Sequence, residues 1–128
     1  VRRFAALCRA IVDAGLDDLE YTVQAMTSVL DSDRSLILYP EGTRGSGAAV
    51  QPFRAGLYHL AKARPRVPLV PVYLGNLARI LPKGAALPVP MQGQVVFGPE
   101  MHLLPGEEKH AFLERCRQAM LELGEGRP

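Results

Sequence analysis

The sequence predicts a layered α/β domain in which helices flank a sheet, and three observations carry this prediction. Segments with apolar residues at helical spacing alternate with short, continuous apolar runs. The chain has 128 residues, enough for one domain with a buried core, and 48% of them are hydrophobic. The order helix, helix, strand, helix, strand, strand, helix suggests at least one right-handed crossover.

Helical periodicity predicts four helices. The first covers residues 4–14, and the second begins at Asp17 and ends near Asp31. The third begins at Pro52, since proline suits the first turn of a helix. The fourth covers residues 107–123 and has acidic residues in its first turn. The face of the third helix that is expected to be buried consists of Phe53, Leu57, Leu60 and Ala61. That of the fourth helix consists of Phe112, Cys116, Met120 and Leu123.

Three short runs predict strands. Residues 36–39 are continuously apolar, which indicates a buried strand, and Pro40 ends it. Residues 67–74 are rich in valine and leucine, but two prolines favour an edge strand or irregular strand ends. Residues 94–97 form the third predicted strand. The segment 75–92 between the last two is rich in glycine and proline and predicts an ordered loop.

Composition limits the classes of protein to which the chain can belong. No apolar run approaches the roughly 20 residues that a membrane-spanning helix needs. Cys8 and Cys116 occupy apolar positions of helical patterns, which suits a reducing, cytosolic compartment better than a disulfide framework. Because the chain begins Val1-Arg2-Arg3 without methionine, we expect it to be N-terminally truncated.

The charge is unevenly distributed along the chain. The net charge is +2, but residues 34–83 contain eight basic side chains and one acidic one, Glu41, and carry +7. The segments on either side are negative. The central segment should therefore attract anions. Lys62, Arg64 and Arg66 suit a solvated surface, whereas Arg44 and Arg54 lie where a ligand could bind.

The tetrapeptide Glu41-Gly42-Thr43-Arg44 lies just beyond the first predicted strand. Ligands of α/β sheets bind beyond the carboxyl ends of strands. Gly42 allows the backbone to approach an anion, Thr43 offers a hydroxyl, and the Arg44 guanidinium suits phosphate oxygens. Arg54 could add a second positive charge near the start of the third helix. The pattern predicts a phosphate site, although an ordinary polar turn would also contain such residues.

Glu41 is the unusual member of this group, because a carboxylate repels phosphate. We expect it either to pair with Arg44 or to accept a hydrogen bond from a substrate hydroxyl.

Three segments in order resemble the lysophosphatidate (1-acylglycerol-3-phosphate) acyltransferase family. They are residues 36–44, residues 52–56 (Pro-Phe-Arg-Ala-Gly) and residues 67–72 (Val-Pro-Leu-Val-Pro-Val). The resemblance is strongest over residues 34–123, and the whole of 1–128 is interpreted as one partial acyltransferase domain with the layered fold of that family. Arg54 replaces the lysine more usual after Pro-Phe, which keeps the charge and changes the donor geometry.

The resemblance implies a reaction and a site. The reaction is transfer of a fatty acyl group from acyl-CoA or acyl carrier protein to lysophosphatidate or a related lysophospholipid, giving phosphatidate in phospholipid biosynthesis. No cofactor and no metal are implied, and the protein would work at the cytoplasmic face of a membrane. The residues implied for the acceptor phosphate are Glu41, Gly42, Thr43, Arg44, Arg54 and Arg3, and those that hold the acyl donor or shape the site are Val67, Pro68, Val70, Pro71 and Val72.

One part of the family pattern is missing. Members of the family carry a His-x4-Asp motif whose histidine deprotonates the acceptor hydroxyl. Here His59, His102 and His110 are followed five residues later by Arg64, Glu107 and Arg115, so none fits. We assign no catalytic residue and expect the chain alone to be inactive.

Two other functions stay open from the sequence. The first is a non-catalytic module that binds phospholipid or phosphate. The second is an unrelated α/β enzyme acting on a phosphorylated metabolite. Nucleic-acid binding is not expected, because aromatic and basic residues are not interleaved and no reader motif appears.

Overall fold

A computed structural model describes residues 19–42, 49–75 and 93–124. Within these ranges the chain forms three helices and two strands. They are α1 (Leu19–Asp31), α2 (Gly56–Ala63), β1 (Val72–Gly75), β2 (Gln94–Phe97) and α3 (Lys109–Gly124). The helix predicted at 4–14 and the loop predicted at 75–92 lie, apart from Gly75, outside the described residues.

α1 confirms the second predicted helix and its end at Asp31. Its narrow apolar stripe buries Met26, and the neighbouring Thr27 hydroxyl donates to the carbonyl oxygen of Gln24 at 2.9 Å. Arg64, just beyond α2, forms an ion pair with Asp31 through two guanidinium nitrogens. The contact joins the ends of α1 and α2.

The buried strand predicted at residues 36–39 is wrong. Leu36 and Leu38 are half-buried, but Ile37 is 70% exposed and Tyr39 is 75% exposed. No other strand in the described ranges pairs with this segment, so its backbone forms no ladder. An apolar run forms a buried strand only when neighbouring strands accept its hydrogen bonds. Among the described residues the one strand pair is antiparallel, so they contain no right-handed crossover between parallel strands.

α2 begins four residues later than the predicted start at Pro52. The Arg54 amide donates to the Pro40 carbonyl oxygen at 2.7 Å, which ties residues 51–54 to the preceding turn instead of to a helix. The helix starts after Ala55, whose φ and ψ are −60° and −22°. Leu60 and Ala61 are buried as predicted.

The sheet consists of β1 and β2 in an antiparallel arrangement. Val72 lies opposite Phe97, and Gly75 lies opposite Gln94. β2 has the predicted bounds, whereas the run 67–74 forms a strand only from Val72 onward. Before it, Leu69 makes an isolated bridge to Met101. The interruption by Pro68 and Pro71 confirms the irregular strand predicted from the two prolines.

α3 packs against α2 and β1 and supplies the centre of the core. Phe112 is fully buried, and Cys116 and Ala61 are buried beside it. α3 begins at Lys109, so the acidic first turn predicted from Glu107 and Glu108 is wrong. Glu107 instead folds back to accept the Leu104 amide at 3.0 Å. The described residues form a mixed arrangement of helices and a small antiparallel sheet, and the layered sheet stays a prediction.

Candidate anion site at the Tyr39–Gly42 turn

A tight turn precedes the segment that carries Thr43 and Arg44. The Gly42 amide donates to the Tyr39 carbonyl oxygen at 3.0 Å, and Pro40 occupies the second position, which proline favours. Gly42 has a φ of +70°, in the left-handed region that glycine adopts without steric cost. A Cβ atom at this position would lie 3.0 Å from Cγ and 3.3 Å from Nε of Arg54. Glycine therefore allows the Arg54 side chain to cross the turn.

Arg54 is fixed to this turn through its backbone and its side chain. Its amide binds the Pro40 carbonyl oxygen, and its Nε lies 3.5 Å from the Glu41 carbonyl oxygen, a long and weak hydrogen bond. The residue lies ahead of α2, which begins at Gly56, and not within the start of the helix as predicted. Arg54 is exposed, and its two terminal nitrogens have no partner within the described ranges. The guanidinium is thus presented to solvent beside Gly42.

Glu41 makes a contact that differs from both expected ones. Its Oε2 accepts the backbone amide of Gln51 at 2.9 Å. The carboxylate therefore joins the two flanks of the segment 43–48. Val50, next to Gln51, is held from the other side, because Nε of Arg117 in α3 donates to its carbonyl oxygen at 3.2 Å.

The structure brings together only part of the predicted site. Glu41, Gly42 and Arg54 are adjacent, whereas Thr43, Arg44 and Arg3 lie outside the described residues, so their roles stay predictions. The structure also describes the residues proposed for the acyl donor, and the last of them is the first residue of β1. They are Val67, Pro68, Val70, Pro71 and Val72. The contacts of this segment run toward β2 and its flank: the Gly98 amide donates to the Pro71 carbonyl oxygen at 2.8 Å, and Leu69 pairs with Met101.

A protein-family model described as "Acyltransferase" matches residues 3–75, more than half of the chain. The chain belongs to the acyltransferase family. The matched range includes the turn, Arg54 and the segment 67–72, and it ends at the last residue of β1. The match is consistent with the lysophosphatidate type. No curated protein and no solved structure matches the chain.

The three histidines of this acyltransferase form no hydrogen bond or salt bridge with a carboxylate in the described part of the chain. The His59 ring packs edge-on against Tyr58, with centroids 5.5 Å apart. Nδ1 of His102 lies 3.2 Å from the Pro65 carbonyl oxygen. Glu107, the acidic residue nearest to the missing motif's spacing, binds Nε of Arg115 at 2.8 Å instead. His110 is exposed on α3. No base for the acceptor hydroxyl is therefore identified.

The ionisable groups with shifted pKa values that are described next, Glu107 and Cys116, lie outside the turn. The Arg115 guanidinium lowers the pKa of Glu107 by hydrogen bonding to its carboxylate. Burial raises the pKa of the Cys116 thiol to about 11. Within the described ranges, no three His, Cys, Asp or Glu side chains cluster as metal ligands, and no helix is long and apolar enough to cross a membrane.

An open cleft of about 500 Å³ lies elsewhere in the acyltransferase, between α2 and residues 103–108. It shares no lining residue with the turn. Tyr58, Lys62, Leu103 and Leu104 are among the residues that line it.

Two residues with contacts beside the candidate site, Gln51 and Arg117, were not predicted from the sequence. Gln51 contributes a backbone amide, which every residue except proline has, so its side chain carries no signal. Arg117 lies 67 residues from Val50, and no local pattern in α3 distinguishes it from the neighbouring Arg115.

Proposed function

We propose that the protein transfers a fatty acyl group from acyl-CoA or acyl carrier protein to lysophosphatidate or a related glycerophospholipid acceptor. The reaction forms an ester with the acceptor hydroxyl and releases the thiol of the donor. The product, phosphatidate, would serve phospholipid biosynthesis at the cytoplasmic face of a membrane. Family membership supports acyl transfer in general, and the acceptor is inferred from the turn.

The turn at Gly42 is the observation that carries the proposed acceptor. The left-handed Gly42 leaves room over the turn, and the Arg54 side chain occupies that room. The Arg54 guanidinium lies beside it with its terminal nitrogens directed to no described partner. Thr43 and Arg44 follow directly in the sequence, so a hydroxyl and a second guanidinium are available. Two guanidinium groups and a hydroxyl suit a phosphate monoester.

Glu41 fits this proposal better in its observed position than in the expected ones. Its carboxylate points to the Gln51 amide, on the far flank of the segment. We therefore propose that Glu41 shapes the phosphate site from its edge, while Gly42, Thr43, Arg44 and Arg54 face the phosphate, with Arg3 as a further contact. Val67, Pro68, Val70, Pro71 and Val72 are proposed to hold the acyl donor or to shape the site.

The phosphate role is tested by the binding of glycerol 3-phosphate, the water-soluble head group of the proposed acceptor. Arg44→Ala should weaken binding about 10- to 150-fold, because a hydrogen bond to a charged group contributes about 1.5–3 kcal/mol. Arg66→Ala is the matched control, since it removes the same charge at an exposed position. Equal affinity for wild type and Arg44→Ala by isothermal titration calorimetry would exclude the proposed phosphate contact.

A second candidate is a phospholipid-binding module without catalysis. Two observations favour it: the sequence has no His-x4-Asp motif, and no histidine forms a hydrogen bond with a carboxylate in the described residues. The two candidate functions are distinguished by measuring whether the protein transfers the acyl group of acyl-CoA to lysophosphatidate. We expect residues 1–128 alone to bind the head group without turnover. Turnover that is abolished in His102→Ala would contradict the absence of a base from this chain.

A further inference from the structure

The open cleft between α2 and residues 103–108 takes no part in the proposed function, because it shares no lining residue with the turn. Its volume of about 500 Å³ lies in the range of about 300–1,000 Å³ that is typical of sites for small molecules. Such sites combine apolar walls with a few polar groups that orient the ligand. The cleft has both, and each is built from residues that the structure describes.

The apolar wall of the cleft belongs to a segment that is held in place. Leu103 packs against the core, while Leu104 is 53% exposed and Pro105 follows it. The Glu107 carboxylate accepts the Leu104 amide at 3.0 Å and Nε of Arg115 at 2.8 Å, so the segment is fixed to α3. A wall that is already ordered loses little conformational freedom when a ligand covers it.

Two polar side chains line the cleft from α2. Tyr58 and Lys62 are four residues apart, which places them on one face of the helix. The Tyr58 hydroxyl forms no hydrogen bond within the described part of the chain, and it is open to solvent, because every buried side-chain nitrogen or oxygen there has a partner. Lys62 is exposed and forms no ion pair with a described residue. A hydroxyl donor and an ammonium group are thus available to one head group that carries oxygen atoms.

The two acidic residues of the lining differ in what they offer a ligand. Both carboxylate oxygens of Glu107 accept hydrogen bonds from Arg115, so its charge is balanced within the wall. Glu108 is exposed, and its carboxylate has no partner among the described residues. A cationic head group would therefore find Glu108 alone, whereas an anionic head group finds two donors on α2. The count of available partners favours an anion.

We propose that this cleft binds a fatty carboxylate, with its carboxylate at Tyr58 and Lys62 and its alkyl chain along Leu103, Leu104 and Pro105. The chain is attracted because it covers apolar surface that water otherwise contacts. The hydroxyl and the ammonium group orient the head group. The site is separate from the phosphate site, so it does not depend on the proposed acyl transfer.

The experiment titrates the whole 128-residue chain with three probes and follows backbone amides by NMR. Decanoate carries the carboxylate and the chain, decyltrimethylammonium carries an equal chain with the opposite charge, and acetate carries the head group alone. Both amphiphiles are kept below the concentrations at which they form micelles. Decanoate should shift the amides of Leu104 and Gly106 in a saturable way. Decyltrimethylammonium should bind about five-fold more weakly, and acetate should give no saturable shift at the same concentrations.

Two variants test the head group and the chain separately. Lys62→Met should weaken decanoate binding about three-fold, a change of about 0.7 kcal/mol that suits an exposed ion pair. Lys109→Met is its matched control, since Lys109 is exposed and does not line the cleft. Leu104→Ser should weaken binding about five-fold, because it removes apolar surface from the wall. Leu74→Ser, at a 41% exposed position of β1, is the control for that change.

The proposal is supported if decanoate shifts the cleft amides and only the two cleft variants bind it more weakly, with urea unfolding used to verify that all four variants are folded. It is overturned if decanoate gives no saturable shift there, if decyltrimethylammonium binds as tightly, or if the controls lose as much affinity. Acetate that binds as tightly as decanoate would overturn it too, since the chain would then contribute nothing. Glycerol 3-phosphate plays no part in these measurements, so their failure is distinct from failure of the proposed phosphate site.

Discussion

Replacing Gly42 with alanine should damage the turn in two ways that can be separated. The first is the backbone: a φ of +70° costs an L-residue about 1–2 kcal/mol. At about 4 °C per kcal/mol for a domain of this size, the melting temperature should fall by about 4–8 °C. The second is steric, because the new Cβ would lie 3.0 Å from Cγ of Arg54. The arginine stem must move by a few tenths of an ångström, and its guanidinium moves with it.

Gly106→Ala is the matched control for the backbone cost. Gly106 has a φ of +72°, but no atom lies within 4 Å of the position that its Cβ would take. Both variants should lose similar stability in thermal and urea unfolding. Only Gly42→Ala should also bind glycerol 3-phosphate more weakly, by about five-fold or about 1 kcal/mol, because only there does the arginine move.

Two results would refute this reasoning. If Gly42→Ala retains wild-type affinity, the position of Arg54 over the turn does not matter for the anion. If Gly106→Ala loses affinity to the same extent, the loss reflects general destabilisation. Binding is measured below the melting temperature of both variants, so that only folded protein is compared.

Three further predictions concern the core and the loop before α3. Phe112→Ala should lower the free energy of unfolding by about 3–5 kcal/mol in urea titration, whereas Phe97→Ala, at a 70% exposed position, should change it by about 0.5 kcal/mol or less. Arg115 lowers the pKa of Glu107 in the folded state. The contact therefore stabilises the fold fully at a pH above 4.5, the ordinary pKa of glutamate, and this stabilisation is lost as the pH falls through the lowered pKa. Glu107→Gln should thus be less stable than wild type at pH 7, and the gap should narrow below pH 4.5; a gap independent of pH would contradict this. Burial raises the pKa of the Cys116 thiol to about 11, so in a Cys8→Ser background this thiol should resist alkylation by iodoacetamide at about pH 8 until urea is added. Alkylation is followed by mass spectrometry, and rapid alkylation of the folded chain would show that the thiol is accessible.

The parts of the fold that depend on local periodicity were predictable. α1, β2 and the buried face of α3 follow from apolar spacing within a few residues, and the helix-ending and strand-breaking residues are equally local. A strand was predicted at 36–39 and does not form there. Its absence could not be predicted, because an apolar run does not specify which neighbour accepts its hydrogen bonds. The start of α2 was misplaced for a similar reason: the amide of Arg54 binds Pro40, and no sequence pattern shows that contact.

The candidate site divides in the same way. Residue types and their order predicted an anion site at Glu41-Gly42-Thr43-Arg44, which stays a prediction, and associated the chain with acyl transfer, which the family match supports. Only the tertiary structure showed that Arg54 crosses Gly42, that Glu41 faces Gln51, and that Arg117 reaches Val50 across 67 residues. These contacts involve backbone groups or distant helices. Backbone groups are nearly the same in every residue, so their partners are decided by packing and not by residue type.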